Sequence, residues 1–125
     1  MNPLKTNIMV VEDEGVVSID IQNMLRNAGY EIAAVAFRGE DAVKKAAESN
    51  PDLVLMDIGL KGELDGIEAA RKIRDNLQIP VVFLTGFADE ATMARAQEVN
   101  PSGFIIKPIS EEELKNTLDE ILKKN

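Results

Sequence analysis

The stretch NIMVVEDEG, residues 7–15, decides how the rest of the chain is read. Its first five residues form a short run rich in β-branched side chains, of a length that suits a strand rather than a helix. The run stops at three consecutive acids, Glu12, Asp13 and Glu14. Like charges crowded at a strand end repel, so these acids are either solvated or gathered about a cation. A helical period starts straight after them. Over residues 14–28, Val17, Ile21, Met24, Leu25 and Ala28 share one face, and Gly29 supplies a stop.

The same strand-then-helix unit recurs along the chain. IAAVAF (32–37), DLVLM (52–56), PVVFL (80–84) and GFII (103–106) read as further strands. Most of these are nearly continuous apolar runs, as expected where both faces of a parallel sheet are covered. Helical stripes lie between them. Ala42, Val43, Ala46 and Ala47 mark one over 39–49; Ile67, Ala70, Ile73 and Leu77 mark another over 65–77. The stripe over 89–99 is weaker, carried by Ala91, Ala94 and Ala96. Ser110 followed by Glu113 is a capping-box signal for a last helix with Leu114, Leu118, Ile121 and Leu122 on its inner face. Five successive βα units imply parallel strands, right-handed crossovers and helices on both faces. The expected architecture is one doubly wound α/β domain over residues 1–125, with its core at about 6–123.

Composition narrows the function classes. A chain with 45% apolar and 29% charged residues has the make-up of a globular domain, not of a disordered or fibrous one. A net charge of −8 argues against direct nucleic-acid binding and against an anionic membrane surface. With no cysteine and no histidine, thiol catalysis, disulfides, Cys/His zinc sites and Ser-His-Asp chemistry are excluded, and the chain cannot be a phosphohistidine donor. The segment MNPLKTN lacks the apolar core of a signal peptide, and no apolar run approaches the ~20 residues of a membrane span. The expected location is the cytoplasm.

Open α/β sheets place their sites at the C-terminal ends of the strands. There the chain has Glu12 and Asp13 after the first strand, Asp57 after the third, Thr85 and Gly86 after the fourth, and Lys107 and Pro108 after the fifth. Singly, each is an ordinary start to a solvated loop or a surface charge. Together they have a chemical logic. Carboxylates with open positions left for water and phosphate suit Mg²⁺. One carboxylate can act as a nucleophile toward phosphorus. A hydroxyl and an ammonium can then hold the phosphoryl oxygens.

In this combination the chain resembles the receiver domain of two-component response regulators. The pieces that carry the resemblance are VVEDE (10–14), DLVLMDIGL (52–60), DGIEAARKIR (65–74), VVFLTG (81–86) and GFIIKP (103–108). The resemblance implies a flavodoxin-like (βα)5 sheet of strand order 2-1-3-4-5. It implies that Asp57 is the phosphoacceptor, that Asp13 ligates Mg²⁺ directly and Glu12 through water, and that the Gly59 carbonyl is a further ligand. Thr85 matches the switch hydroxyl, Lys107 the lysine that pairs with the phosphoryl group, and Phe104 the switch aromatic. Lys107-Pro108 matches a cis peptide bond. Gly59 and Phe87 flank the implied path of the hydrolysing water. The implied partners are a histidine kinase or phosphotransfer protein upstream and a target protein or output domain downstream. A homodimer through the fourth helix, fifth strand and fifth helix is a further implication.

This sequence departs from the family pattern in four places. The acidic pair is Glu-Asp rather than Asp-Asp. Lys61 stands where many receivers have proline, and the segment GLKGELDG is one residue longer than usual. Gly86 stands where alanine is frequent, which loosens the backbone there.

Several rivals can be weighed on residues alone. Residues 57–68 mimic a calcium loop, but Gly59 and Lys61 occupy positions that need oxygen ligands. A flavodoxin would want hydroxyls and free amides after its first strand, where this chain has acids. An aspartyl-phosphate phosphatase would want a second acid two residues after its nucleophile, where this chain has Gly59. A pseudo-receiver, used only as a protein-interaction module, would have no need of the full set Asp13, Asp57, Thr85 and Lys107. The expectation is a phosphorylation-dependent switch whose chemistry is limited to its own phosphorylation and dephosphorylation. It is either a stand-alone receiver or a segment of a longer regulator or hybrid kinase.

Overall fold

The computed structural model describes residues 6–62, 64–86 and 89–122. Phe87 and the expected core limit at Lys123 lie outside the described residues. Ten elements alternate: β1 (Asn7–Val11), α1 (Gly15–Asn27), β2 (Glu31–Ala36), α2 (Gly39–Ser49), β3 (Leu53–Asp57), α3 (Gly66–Leu77), β4 (Val81–Thr85), α4 (Glu90–Glu98), β5 (Gly103–Ile106) and α5 (Glu111–Leu122). The strands form one parallel sheet of order β2-β1-β3-β4-β5, as expected.

Strand alternation divides the core in two. Met9, Val11, Val54, Met56, Val81 and Phe83 point to the face covered by α2, α3 and α4. Ile8, Val10, Leu53, Leu55, Val82 and Leu84 point to the face covered by α1 and α5. The central strands β3 and β4 are buried along their whole lengths. That is why they read as unbroken apolar runs rather than as alternating ones.

Three strands are shifted by one residue from the sequence reading: β2 starts and ends one residue earlier than 32–37, and β3 and β4 start and end one residue later than 52–56 and 80–84. β3 ends at Asp57 and β4 at Thr85, where an apolar criterion stopped at Met56 and Leu84. Both polar residues remain in the ladder, Asp57 opposite Leu84 and Thr85 opposite Ile106. β4 starts after Pro80, which has no N–H to donate but accepts from the Val54 amide at 3.0 Å. The helix caps follow sequence chemistry. Asp65 accepts from the Glu68 amide, Asp89 from that of Thr92, and Ser110 from that of Glu113.

Candidate functional site

A parallel sheet brings the C-terminal ends of its strands to one edge, and the register here sets which side chains meet. Val11 pairs with Met56, so the next residues, Glu12 and Asp57, leave adjacent strands at the same level. The Glu12 amide donates to the Ala36 carbonyl at 3.1 Å, which extends the β1–β2 ladder and fixes the Glu12 backbone. Across β4, the Lys107 amide donates to the Thr85 carbonyl at 2.8 Å and holds those two residues together. Glu12 is completely buried, Asp57 and Thr85 are each 6% exposed, and Glu14 is exposed to solvent. The acid triplet is therefore divided: Glu12 and Asp13 face the site, and Glu14 is solvated.

Lys107 Nζ lies 3.0 Å from Glu12 Oε1 and 3.5 Å from Asp57 Oδ1. The Glu14 amide donates to Glu12 Oε2 at 3.2 Å, while the buried Oε1 accepts from no backbone amide. The Gly59 amide donates to Asp57 Oδ1 at 3.0 Å. Asp57 Oδ2 carries neither of the contacts made by Oδ1. Glu12, Asp13 and Asp57 each offer one oxygen, and the three oxygens lie within 4.8 Å of one another.

Burial pushes the Glu12 carboxyl above its usual range, the Lys107 ammonium opposes that rise, and the Asp57 charge adds to it. For Lys107 the largest single influence is burial, which pulls it down. The combined attraction of Glu12 and Asp57 outweighs burial and lifts it, so the side chain stays charged at neutral pH. One ammonium does not balance three carboxylates. An all-oxygen donor set, incompletely neutralised, with a buried oxygen that lacks an amide donor, fits a hard divalent cation such as Mg²⁺.

The other expected residues that the structure describes also fall at this edge or behind it. Lys107-Pro108 is cis. Phe104 is half-buried on β5 and stacks on Phe83, with ring centroids 5.8 Å apart. A Cβ at Gly86 would meet, among the described residues, only Lys107 Cδ, at 3.8 Å. Among the described residues, the segment before the calcium-loop mimic is strand β3, not a helix.

Sequence reasoning missed Gly66. A Cβ there would sit 2.1 Å from the Asp57 carbonyl oxygen, so only glycine lets the first turn of α3 rest against the backbone of Asp57. The Asp65-Gly66 pair was the available signal. It was legible as a motif but not as a contact. Gly39 does the same for α2 against the Leu64 carbonyl, at 2.2 Å for a Cβ, which fixes the far side of the loop after Asp57.

Known proteins with this arrangement are numerous. Residues 8–119 match the family model for the response regulator receiver domain. The transcriptional regulatory protein PdtaR of Mycobacterium tuberculosis is 37% identical over 103 residues, 82% of this chain and 50% of that protein. ResD of Bacillus subtilis is 34% identical over 110 residues, 88% of this chain and 45% of that protein. The chain thus spans about half the length of the curated relatives it matches. Among solved structures, the signal receiver domain of a modulated diguanylate cyclase from Desulfovibrio desulfuricans superposes with a TM-score of 0.91. It is 32% identical and covers 96% of this chain and 95% of that one. The receiver domain of the sensor histidine kinase PA1611 from Pseudomonas aeruginosa was solved with a magnesium ion in its active-site cleft. It has a TM-score of 0.85 and 31% identity, over 96% of this chain and 99% of that one. With a family match across nearly all of the sheet and helices, the chain belongs to the response regulator receiver domains.

Proposed function

We propose that this domain is a phosphorylation-dependent switch in which Asp57 accepts a phosphoryl group from the phosphohistidine of a kinase or phosphotransfer protein. The observation that carries the reading is the position of Asp57. Its carboxylate is nearly buried at a strand end, with Oδ1 held by the Gly59 amide and faced by the Lys107 ammonium. Those contacts leave Oδ2 to act as the nucleophile. Asp13, Asp57 and the Gly59 carbonyl, with Glu12 acting through water, would hold Mg²⁺. When bound, the ion supplies the positive charge that lets a phosphoryl group approach a cluster of carboxylates.

In the transfer step, a bond forms from Asp57 Oδ2 to phosphorus as the phosphorus–nitrogen bond of the donor breaks. The bonding pair returns to the donor imidazole. Lys107, poised between Glu12 and Asp57, turns to the new phosphoryl oxygens, and the Thr85 hydroxyl moves to the same group. Movement of Thr85 leaves room for Phe104 to turn inward. The surface formed by α4, β5 and α5 then changes shape, and a target protein, an output domain or a second copy binds there. Water later attacks phosphorus and restores the free carboxylate. The reading includes no turnover of an external substrate, and it puts the domain in the cytoplasm with its donors. Among the described residues, no helix is long and apolar enough to cross a membrane.

The test is acid-labile labelling by acetyl phosphate with Mg²⁺. Labelling of the native chain and none of Asp57→Ala is expected. No labelling of the native chain under any donor would instead support the pseudo-receiver reading. Undiminished labelling of Asp57→Ala would move the acceptor elsewhere.

A further inference from the structure

Arg95 on α4 reaches across to the start of α3. Its Nη2 lies 3.2 Å from Asp65 Oδ2 and 3.5 Å from Glu68 Oε2. Asp65 serves two helices at once. Oδ1 accepts the Glu68 amide at 2.9 Å and caps α3, while Oδ2 holds Arg95. The next residue, Gly66, rests on the Asp57 carbonyl. A short path of contacts therefore runs from the phosphoacceptor backbone through Gly66 and Asp65 to Arg95 and α4.

The two ends of this path are held very differently. α3 is anchored by Ile67, Ala69, Ala70 and Ile73, all fully buried, and by the Gly66 contact. In α4, Ala96 alone is buried. Thr85, at the end of β4, lies just upstream of the Asp89 cap of α4. A pull on Thr85 toward a phosphorylated Asp57 acts on the start of α4, while Asp65 stays fixed with α3. The ion pairs of Arg95 span the part that moves and the part that does not.

We propose that Arg95 is a positioning residue that restrains α4 against the phosphoacceptor loop, and so sets how readily the domain takes up a phosphoryl group. This inference rests on the proposed function of Asp57. The pairs belong to the arrangement described above, so cutting them favours the phosphorylated arrangement. The side chains involved are between 39% and 45% exposed, so the effect is modest and screened by salt.

The experiment measures the affinity of the whole chain for beryllofluoride with Mg²⁺, by titration calorimetry at low and high salt. Arg95→Met keeps most of the apolar stem and removes the charge. It is expected to bind about two- to fivefold more tightly than the native chain at low salt, with the difference closing as salt rises. Asp65→Asn keeps an oxygen for the α3 cap and should give a similar gain. The double variant should gain nothing beyond Arg95→Met. Denaturant unfolding of each variant checks that the fold is retained. Equal or weaker binding by Arg95→Met overturns the inference, as does a gain that persists undiminished at high salt. Failure of the native chain itself to bind beryllofluoride, or native-strength binding by Asp57→Ala, would instead overturn the phosphoacceptor reading and this inference with it.

Discussion

Helices α3 and α4 lie on the same face of the sheet and begin alike, yet they are attached differently. Each opens with an aspartate that accepts the backbone amide three residues on, Asp65 for Glu68 and Asp89 for Thr92. Beyond that first turn they diverge. α3 buries Gly66, Ile67, Ala69, Ala70 and Ile73, and α4 buries Ala96. Buried apolar area is the main source of helix attachment. One helix is therefore part of the frame, and the other rests on it through a methyl group, a half-buried Met93, its C-cap residue Val99 and the ion pairs of Arg95. If Asp57 is the phosphoacceptor, as proposed, its place on the frame next to a lightly attached helix suits a switch, since small forces at Asp57 move α4 before they move α3.

Trimming apolar side chains tests that contrast with the largest effects. Ile73→Ala removes a fully buried side chain and should cost about 2–5 kcal/mol of unfolding free energy. Met93→Ala in α4 should cost about 1 kcal/mol. Denaturant unfolding of the two variants decides the point, and equal losses would show that α4 is as firmly seated as α3. A smaller effect comes from Gly66. Alanine there drives a Cβ into the Asp57 carbonyl, so the backbone must shift at a cost of about 1–3 kcal/mol. Because the displaced atoms belong to Asp57, phosphoryl labelling should slow as well. Lost stability with an unchanged labelling rate would separate α3 from the acceptor.

Much of this is legible in the sequence. The order of elements follows from apolar runs and helical stripes, because each strand is buried on a scale of neighbouring residues. The thin seat of α4 was visible only in outline: the expected stripe of Ala91, Ala94 and Ala96 offers little area, but Ala91 and Ala94 are exposed in the fold, and Met93 joins Ala96 on the inner face. Collecting Glu12, Asp13, Asp57, Thr85 and Lys107 at one edge needed only the rule that such sheets place sites at strand ends. Two kinds of feature were not legible. Strand limits slipped at Asp57 and Thr85, because a polar residue can complete a ladder as well as an apolar one. Contacts between residues far apart in sequence also left no local trace. The Arg95–Asp65 pair, the Tyr30 hydroxyl donating to Asp119 between the α1–β2 turn and α5, and the Gly66 approach to Asp57 depend on how helices settle on the sheet.

The caps refine the comparison further. Asp65→Ala removes the α3 cap and one partner of Arg95, and should cost about 0.5–2 kcal/mol. Asp89→Ala should cost less in global unfolding, because a frayed first turn of α4 takes little buried surface with it. If Asp89→Ala proves the costlier of the two, the ranking of the helices is reversed.

Acid offers the mildest test, acting on α4 through Asp89. The Thr92 amide, followed by its side-chain hydroxyl, lowers the Asp89 carboxyl below its ordinary value of 3.8. A carboxylate lowered in the folded state contributes stability that is present above the unfolded value and is lost as pH falls through the folded one. The α4 cap should therefore hold through the mildly acidic range and fail only below pH 3.8. The Thr92 amide resonance should report that loss directly, and Asp89→Asn, which keeps an acceptor but cannot titrate, should flatten the curve. With Ala96 as its one buried residue, α4 has little to hold it once the cap protonates, so Cα shifts across 90–98 should move toward coil values in the same window. A helix that stayed intact over 90–98 while the Thr92 amide titrated would mean that packing, not the cap and the ion pairs, keeps α4 in place.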